Sequence, residues 1–79
     1  MKYPMVIVDW EDITSNTEPW LHMDDIKDLT TAKMSTIAWL VEDRVDSIIL
    51  ISTIGDDEEV GDINCIPKST ISSMRYIVE

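Results

Sequence analysis

Residues 31–54 constrain the fold more than any other part of the chain. They contain two runs rich in β-branched and aromatic side chains, residues 32–42 and 47–54, and neither run contains glycine or proline. Such runs favour extended strands. The polar residues 43–46 between them suit a short turn, so this segment predicts a β-hairpin at the centre of the fold.

The second predicted strand is apolar on both faces. Successive side chains of a strand point to opposite faces, so Ile48, Leu50 and Ile54 share one face. Ile49 and Ile51 share the other. A chain of 79 residues has little material with which to cover both faces of a sheet. We therefore expect a second subunit to cover one of them.

Before the central hairpin, the chain predicts one strand and one short helix. Residues 2–10 are expected to form an edge strand, because Pro4 cannot donate a ladder hydrogen bond. Residues 24–29 begin with acidic side chains, which suit a helix N-terminus. Ile26 and Leu29 give this helix one apolar side, which we expect to close one end of the sheet.

After the central hairpin, the chain predicts a second hairpin. An acidic loop over residues 55–62 precedes a strand at 63–66, one tight helical turn at 67–70 and a last strand at 71–78. The order of elements predicts a mainly β fold, a small five-stranded SH3-like or Sm-like barrel with one short helix between the first and second strands. Residues 1–79 are expected to form a single domain.

The chain is strongly acidic, with a formal net charge of −10. This charge disfavours direct binding to nucleic acid or to anionic membranes. Solubility explains the charge most simply, and an acidic surface that fits a basic partner, including by mimicry of nucleic acid, is the alternative. The N-terminal residues do not resemble a signal peptide, and no apolar stretch reaches membrane-spanning length.

The aromatic and sulfur side chains divide into expected core and expected surface. Cys65 is the single cysteine, so no intrachain disulfide can form, and its apolar neighbours predict a packed thiol. An unpaired thiol fits a reducing cytoplasm. Trp39 and Trp10 are expected in the core, whereas Trp20 follows Pro19 in a polar loop and is expected at the surface.

Several short stretches resemble a group of small, mostly uncharacterised proteins of tailed bacteriophages with an SH3-like or Sm-like barrel. The resemblance is carried by residues 8–13 (VDWEDI), 37–40 (IAWL), 52–53 (ST), 61–62 (GD) and 66–71 (IPKSTI). Members of this group often have Gly where this chain has Ala38. The resemblance implies a phage accessory protein that acts in the host cytoplasm, where counter-defence is a common role, and it brings no catalytic residues.

The sequence offers no recognisable catalytic or metal-binding motif. His22 is the single histidine, and no nucleophile elbow, phosphate-binding glycine loop or zinc-protease helix is present. The acidic loop at 56–62 does not have the ligand pattern of a calcium loop. We therefore expect a non-enzymatic protein without a metal or another cofactor.

One small-molecule site is predicted near the tight turn. Lys68, Ser69 and Thr70 place a cation, two hydroxyls and backbone N–H groups together, and Arg75 follows them. Such a group can hold a phosphate. Trp20 could stack on a base.

Two hypotheses follow. In the first, a homo-oligomer sequesters a small anionic host signal, such as a cyclic nucleotide, through these five residues. In the second, the protein is an acidic inhibitor or nucleic-acid mimic that occupies the basic groove of a host protein.

Overall fold

The computed structural model describes residues 2–78 and is mainly β. Its strands are β1 (Met5–Asp12), β2 (Ala32–Asp43), β3 (Ser47–Ile54), β4 (Val60–Pro67) and β5 (Ile71–Tyr76). A four-residue helix, α1 (Met23–Ile26), lies between β1 and β2, and a 3₁₀ turn (Lys68–Thr70) joins β4 to β5. The central hairpin, the tight turn and the position of the short helix are therefore confirmed.

The five strands form one antiparallel sheet in the order β4-β3-β2-β1-β5, and the sheet is not closed. Its core contains side chains from both edges. Ile66 of β4 belongs to the buried cluster, and Ile71 and Met74 of β5 pack against the same cluster. The sheet must therefore curl strongly around one apolar centre. The other buried members of this cluster are Val6, Val8, Ala38, Leu40, Ile48 and Leu50.

Two expectations about strand neighbours are wrong. β1 is an interior strand between β2 and β5, not an edge strand. Pro4 lies before β1, where its carbonyl accepts a hydrogen bond from the Leu40 N–H at 2.8 Å, so proline removes no ladder donor. β4 and β5 also do not form a hairpin, because the 3₁₀ turn carries the chain to the opposite edge of the sheet.

The sheet has a second apolar face, which we call the outer face. It is the face opposite the buried cluster. Ile48 and Leu50 point into the cluster, as expected, while Ile51 is only 2% exposed and lies outside it. Its cross-strand partners are Trp39 and Ile63, so these side chains share the outer face. Trp39 is thus half-buried on the outer face and does not belong to the core cluster.

The expectation that Cys65 is packed is also wrong. Cys65 is exposed, because it pairs with Ile49 at the sheet edge formed by β4, on the outer face. Trp10 packs against the core, as expected, and its indole N–H donates to the Thr36 hydroxyl at 2.9 Å. Trp20 is exposed, as expected.

The molecule is elongated. The radius of gyration is 16.3 Å and the longest dimension is 51 Å, against 25 and 24 Å for the other two. A compact domain of this length has a radius of gyration of about 12 Å. All residues of the segment between β1 and β2 are exposed, so this segment lies outside the packed body.

Candidate functional site

Residues 13–31 form a projecting segment, here called the arm. Every residue from Glu11 to Thr31 is exposed. The predicted helix at 24–29 shortens to α1, and Ile26 and Leu29 are exposed, so the expectation that they close one end of the sheet is wrong. A helix of one turn has too few internal hydrogen bonds to be stable without packing partners. The arm is therefore built from local contacts and not from burial.

Hydrogen bonds at its base fix where the arm leaves the sheet. Asp12 and Ala32 are the last register pair between β1 and β2. Beyond them, the Thr14 hydroxyl donates to the Thr30 carbonyl at 2.7 Å, and the Thr31 hydroxyl donates to the Glu11 carboxylate at 3.0 Å. These bonds continue the β1–β2 hairpin outwards and direct the arm away from the body.

Short-range hydrogen bonds also shape the distal part of the arm. The Asn16 side-chain oxygen accepts from the Glu18 N–H at 2.8 Å, which is an Asx turn. The His22 ring nitrogen Nδ1 accepts from the Asp24 N–H at 3.2 Å and caps α1. His22, the single histidine, therefore has a local structural role in the arm.

The arm combines negative charge with exposed apolar side chains. Trp20 is 88% exposed. Four acids and one lysine lie in the arm, and two further acids lie at its base in β1; they are Glu18, Asp24, Asp25, Asp28 and Lys27, with Glu11 and Asp12. The exposed apolar side chains of the same segment are Ile13, Trp20, Leu21, Met23, Ile26 and Leu29. Exposed apolar groups surrounded by charge are typical of a protein-binding surface.

The sequence predicted that Trp20 is exposed, but it predicted that Ile26 and Leu29 pack against the sheet. The i, i+3 spacing of Ile26 and Leu29 is the same whether a helix packs on its own sheet or on another molecule. The polar residues 14–18 come before Ile26 and Leu29 in the chain, and they are the sequence signal that this segment is an exposed loop.

The residues of the predicted anion site occupy different surroundings. Ser69 and Thr70 line an open cleft of about 330 Å³ together with two carboxylates, those of Glu11 and Asp12. Lys68 lines an adjoining depression with Ile48, Ile71 and Met74, and Ile71 borders both. Trp20 lies on the arm.

Several donors that an anion would need already have acceptors. The Lys68 ammonium forms an ion pair with Asp43 at 2.5 Å. The Thr70 hydroxyl donates to the Pro67 carbonyl at 2.8 Å, which stabilises the 3₁₀ turn itself.

Arg75, the remaining residue of that site, lies on the outer face beside Asp9, with 4.0 Å between the guanidinium and the carboxylate. Hydroxyl donors from two neighbouring strands surround Asp9. Ser35 donates to one oxygen, and Ser73 donates to the other at 2.8 Å. These two hydrogen bonds, with a smaller contribution from Arg75, lower the pKa of Asp9. Asp9 thus ties β1 to both of its neighbours.

A second acidic surface is the turn between β3 and β4. Its acids are Asp56, Asp57, Glu58 and Glu59, and all are exposed. The Gly55 N–H donates to the Glu59 carbonyl at 2.7 Å and closes the turn. Glu58 has a positive φ of 61°, a left-handed conformation that glycine adopts more readily. This turn carries no exposed aromatic side chain, unlike the arm.

Within residues 2–78, no three His, Cys, Asp or Glu side chains are grouped as a metal ion would require. In the same range, no helix has the length and apolar character needed to cross a bilayer.

Comparison of the chain with protein-family models, with curated proteins and with solved structures finds no match.

Proposed function

We propose that this protein is a non-enzymatic binding protein that inserts its acidic arm into a basic groove of a protein partner. The likeness of several sequence stretches to small phage proteins supports a phage accessory protein that acts in the host cytoplasm, with counter-defence as its role. The body is proposed to be a small SH3-like barrel. The strand order and the burial of side chains from both sheet edges in one core support that assignment.

The observation that carries the proposal is the uncovered arm. An unpacked segment with four acids would need no apolar side chains if its role were solubility. The arm nevertheless exposes Trp20, Met23 and Leu29. Tryptophan is enriched among the residues that contribute most to binding energy. Carboxylates around such an anchor attract a basic partner and orient it.

The test is affinity capture from a bacterial lysate with matched charge variants. One variant carries Asp24→Asn, Asp25→Asn and Asp28→Asn in the arm. The control carries three neutralising substitutions in the β3–β4 turn, namely Asp56→Asn, Asp57→Asn and Glu59→Gln. Both variants remove three negative charges. A difference in capture between them therefore shows that the partner contacts the arm, and does not reflect a general effect of net charge.

We expect the arm variant and Trp20→Ala to lose the partner that the wild type captures, while the turn variant retains it. Raising the salt concentration should weaken capture by the wild type, because screening shortens the range of exposed charges. Equal capture by the arm variant and the turn variant would contradict the proposal.

A second candidate function is the homo-oligomeric sponge for a small anionic signal. One observation favours it, because four hydroxyl side chains line one cleft, those of Thr31, Ser69, Thr70 and Ser72. Calorimetric titration with cyclic nucleotides tests it. Binding to the wild type that is lost in the variant with Ser69→Ala and Ser72→Ala, two residues that line this cleft, would support this candidate, and unchanged affinity in that variant would contradict the site.

A further inference from the structure

Strand β4 forms one open edge of the sheet. It pairs with β3 on one side, and on its other side it pairs with no strand among residues 2–78. An edge strand presents unpaired backbone N–H and C=O groups, and natural edges are protected by charges, prolines, bulges or short length. In β4 these protections lie towards the two ends, at Asp62 and Pro67, and residues 63–66 between them are uncharged. The opposite edge strand, β5, is shorter and carries Arg75, so β4 is the less protected edge.

One hydrogen bond fixes the phase of the ladder between β3 and β4. The Lys68 N–H donates to the Asp46 carbonyl at 2.8 Å, one residue beyond the register pair of Ser47 and Pro67. In an antiparallel ladder, such a bond flanks a pair that is not itself hydrogen-bonded. Ser47 and Pro67 are therefore a non-bonded pair.

This phase shows which backbone groups of β4 face the open edge. Bonded and non-bonded pairs alternate along an antiparallel ladder, so Asn64 and Ile66 bond to β3. Ile63 and Cys65 belong to non-bonded pairs, and they direct their N–H and C=O groups away from β3. Both residues are exposed. Each chain therefore offers two donors and two acceptors along this edge.

Two copies of β4 can satisfy these groups reciprocally around a two-fold axis at Asn64. In that antiparallel register, Ile63 of each copy lies opposite Cys65 of the other, and the two pairs form four backbone hydrogen bonds. An axis at Ile63 would instead place Cys65 opposite Gly61, beyond Asp62. The φ of Asp62 is 54°, which is not an extended conformation, so the strand is irregular there. The axis at Asn64 uses only the regular part of β4.

This register also keeps the strongest like charges apart. The acidic β3–β4 turn precedes β4, so antiparallel pairing places the two turns at opposite ends of the contact. Residue 59 of one copy is level with residue 69 of the other, which separates the turns by roughly 34 Å, several times the Debye length of about 8 Å. By the same count, the two copies of Asp62 are about 14 Å apart.

Each acidic turn meets an end of the second copy where the charges nearly cancel. That end carries three acids and two cations, namely Glu42, Asp43, Asp46, Arg44 and Lys68. Two ion pairs join four of them, Lys68 with Asp43 and Arg44 with Glu42. The remaining repulsion between two chains of net charge −10 is long-range, and salt screens it.

We propose that two copies of this chain associate through β4, in antiparallel register about Asn64, to form one continuous ten-stranded sheet. The same strand serves both copies, as a symmetric dimer requires. Pairing along a single strand buries little apolar surface, so the dimer is weak, with a dissociation constant on the order of 10 μM to 1 mM. The arm takes no part in the contact, so this proposal does not depend on the proposed function.

Sedimentation equilibrium of the full chain across that concentration range, with two variants at one residue, is the test. Cys65→Pro removes an N–H that faces the open edge and none that bonds to β3, so the fold should be retained. The dimer loses two interchain hydrogen bonds, and the dissociation constant should rise roughly tenfold or more. Cys65→Ala is the matched control, because it also removes the thiol but keeps the N–H. It should leave the constant within about threefold of the wild type.

Oxidative crosslinking tests the register without the proline. Residues on the axis form a non-bonded pair, whose Cα atoms are about 4.5 Å apart, within the range that a disulfide spans. Asn64→Cys in a Cys65→Ser background should therefore form covalent dimers at least about tenfold faster than Val45→Cys in the same background. Val45 is 99% exposed in the β2–β3 turn, far from the axis.

The salt dependence separates this contact from capture through the arm. Raising the salt concentration should strengthen the dimer or leave it unchanged, whereas it weakens the attraction of a basic partner to the arm. A monomeric mass up to about 1 mM, assemblies larger than a dimer, or equal crosslinking rates of the two cysteine variants would each overturn the proposal. So would equal dissociation constants for folded Cys65→Pro and Cys65→Ala.

Discussion

Replacing the whole arm tests whether it is a binding element or part of the folded body. Residues 13–31 can be exchanged for Asn-Gly, because Asp12 and Ala32 are already paired across β1 and β2. Asn-Gly is the preferred two-residue connection for such a pair. The exchange leaves every residue of the buried cluster in place.

The expected change in stability follows from two opposing terms. Shortening the connection from 19 residues to two lowers the entropic cost of closing the hairpin by about 2 kcal/mol. The exchange also removes the hydrogen bonds made by Thr14 and Thr31, which contribute about 0.5–1.5 kcal/mol each at most, and less when exposed. The free energy of unfolding should therefore stay the same or rise by about 1 kcal/mol. A gain of that size raises the Tm of a domain this small by about 4–8 °C.

Thermal and urea unfolding followed by circular dichroism measure this change. Wild type and exchanged variant should unfold in single transitions, with the variant at the same or a higher midpoint. A fall of about 2–5 kcal/mol is what the loss of one packed core side chain produces. A loss of that size would refute the conclusion that the arm makes no structural contribution to the body.

Three further outcomes follow from individual residues. Glu58→Gly should raise the free energy of unfolding by about 1 kcal/mol in urea unfolding, because φ there is positive; a loss of stability would contradict this. Folding lowers the pKa of Asp9. The stability that Asp9 contributes is therefore fully present above the pKa of the unfolded chain, ~3.9, and is lost as the pH falls below that value through the pKa of the folded state. The difference in unfolding free energy between wild type and Asp9→Asn should therefore shrink below about pH 4. Ser73→Ala should raise the pKa of Asp9, as measured by NMR titration. A stability difference that does not depend on pH would refute the lowered pKa of Asp9. Ile48→Ala should cost about 2–5 kcal/mol in urea unfolding, because Ile48 is fully buried. Ile37→Ala, on the exposed outer face, should cost less than about 1 kcal/mol. Equal costs would contradict the division of the two faces.

The sequence is most informative where local preference and burial agree. Ser47–Ile54 is dense in β-branched residues and becomes an interior strand with the predicted faces. Pro67 and the following Lys68–Thr70 become the predicted tight turn, because proline fixes φ and suits the start of a helical turn.

The errors concern how elements associate, which local patterns do not contain. Pro4 indicates where β1 begins, but it cannot show which strands pair with β1. Cys65 is adjacent to apolar residues in sequence, but successive residues of a strand point to opposite faces of the sheet. The side chain of Cys65 lies on the outer face, which is uncovered there, so Cys65 is exposed.

The arm shows the same limitation at the candidate site. Ile26 and Leu29 have the spacing of a packed helix, and only the absence of a nearby surface in the fold shows that they are exposed. Similarly, Lys68, Ser69 and Thr70 are adjacent in sequence, but Lys68 lies in a different depression from the two hydroxyls.

Hydrogen–deuterium exchange of the protein, alone and with the partner captured through the arm, tests the central claim most directly. In the free protein, backbone amides of residues 15–29 should exchange nearly as fast as those of an unstructured peptide, while those of β1, β2 and β3 stay protected. In the complex, protection should appear in the arm. Protection confined to the 3₁₀ turn Lys68–Thr70, with the arm still exchanging freely, would contradict the account.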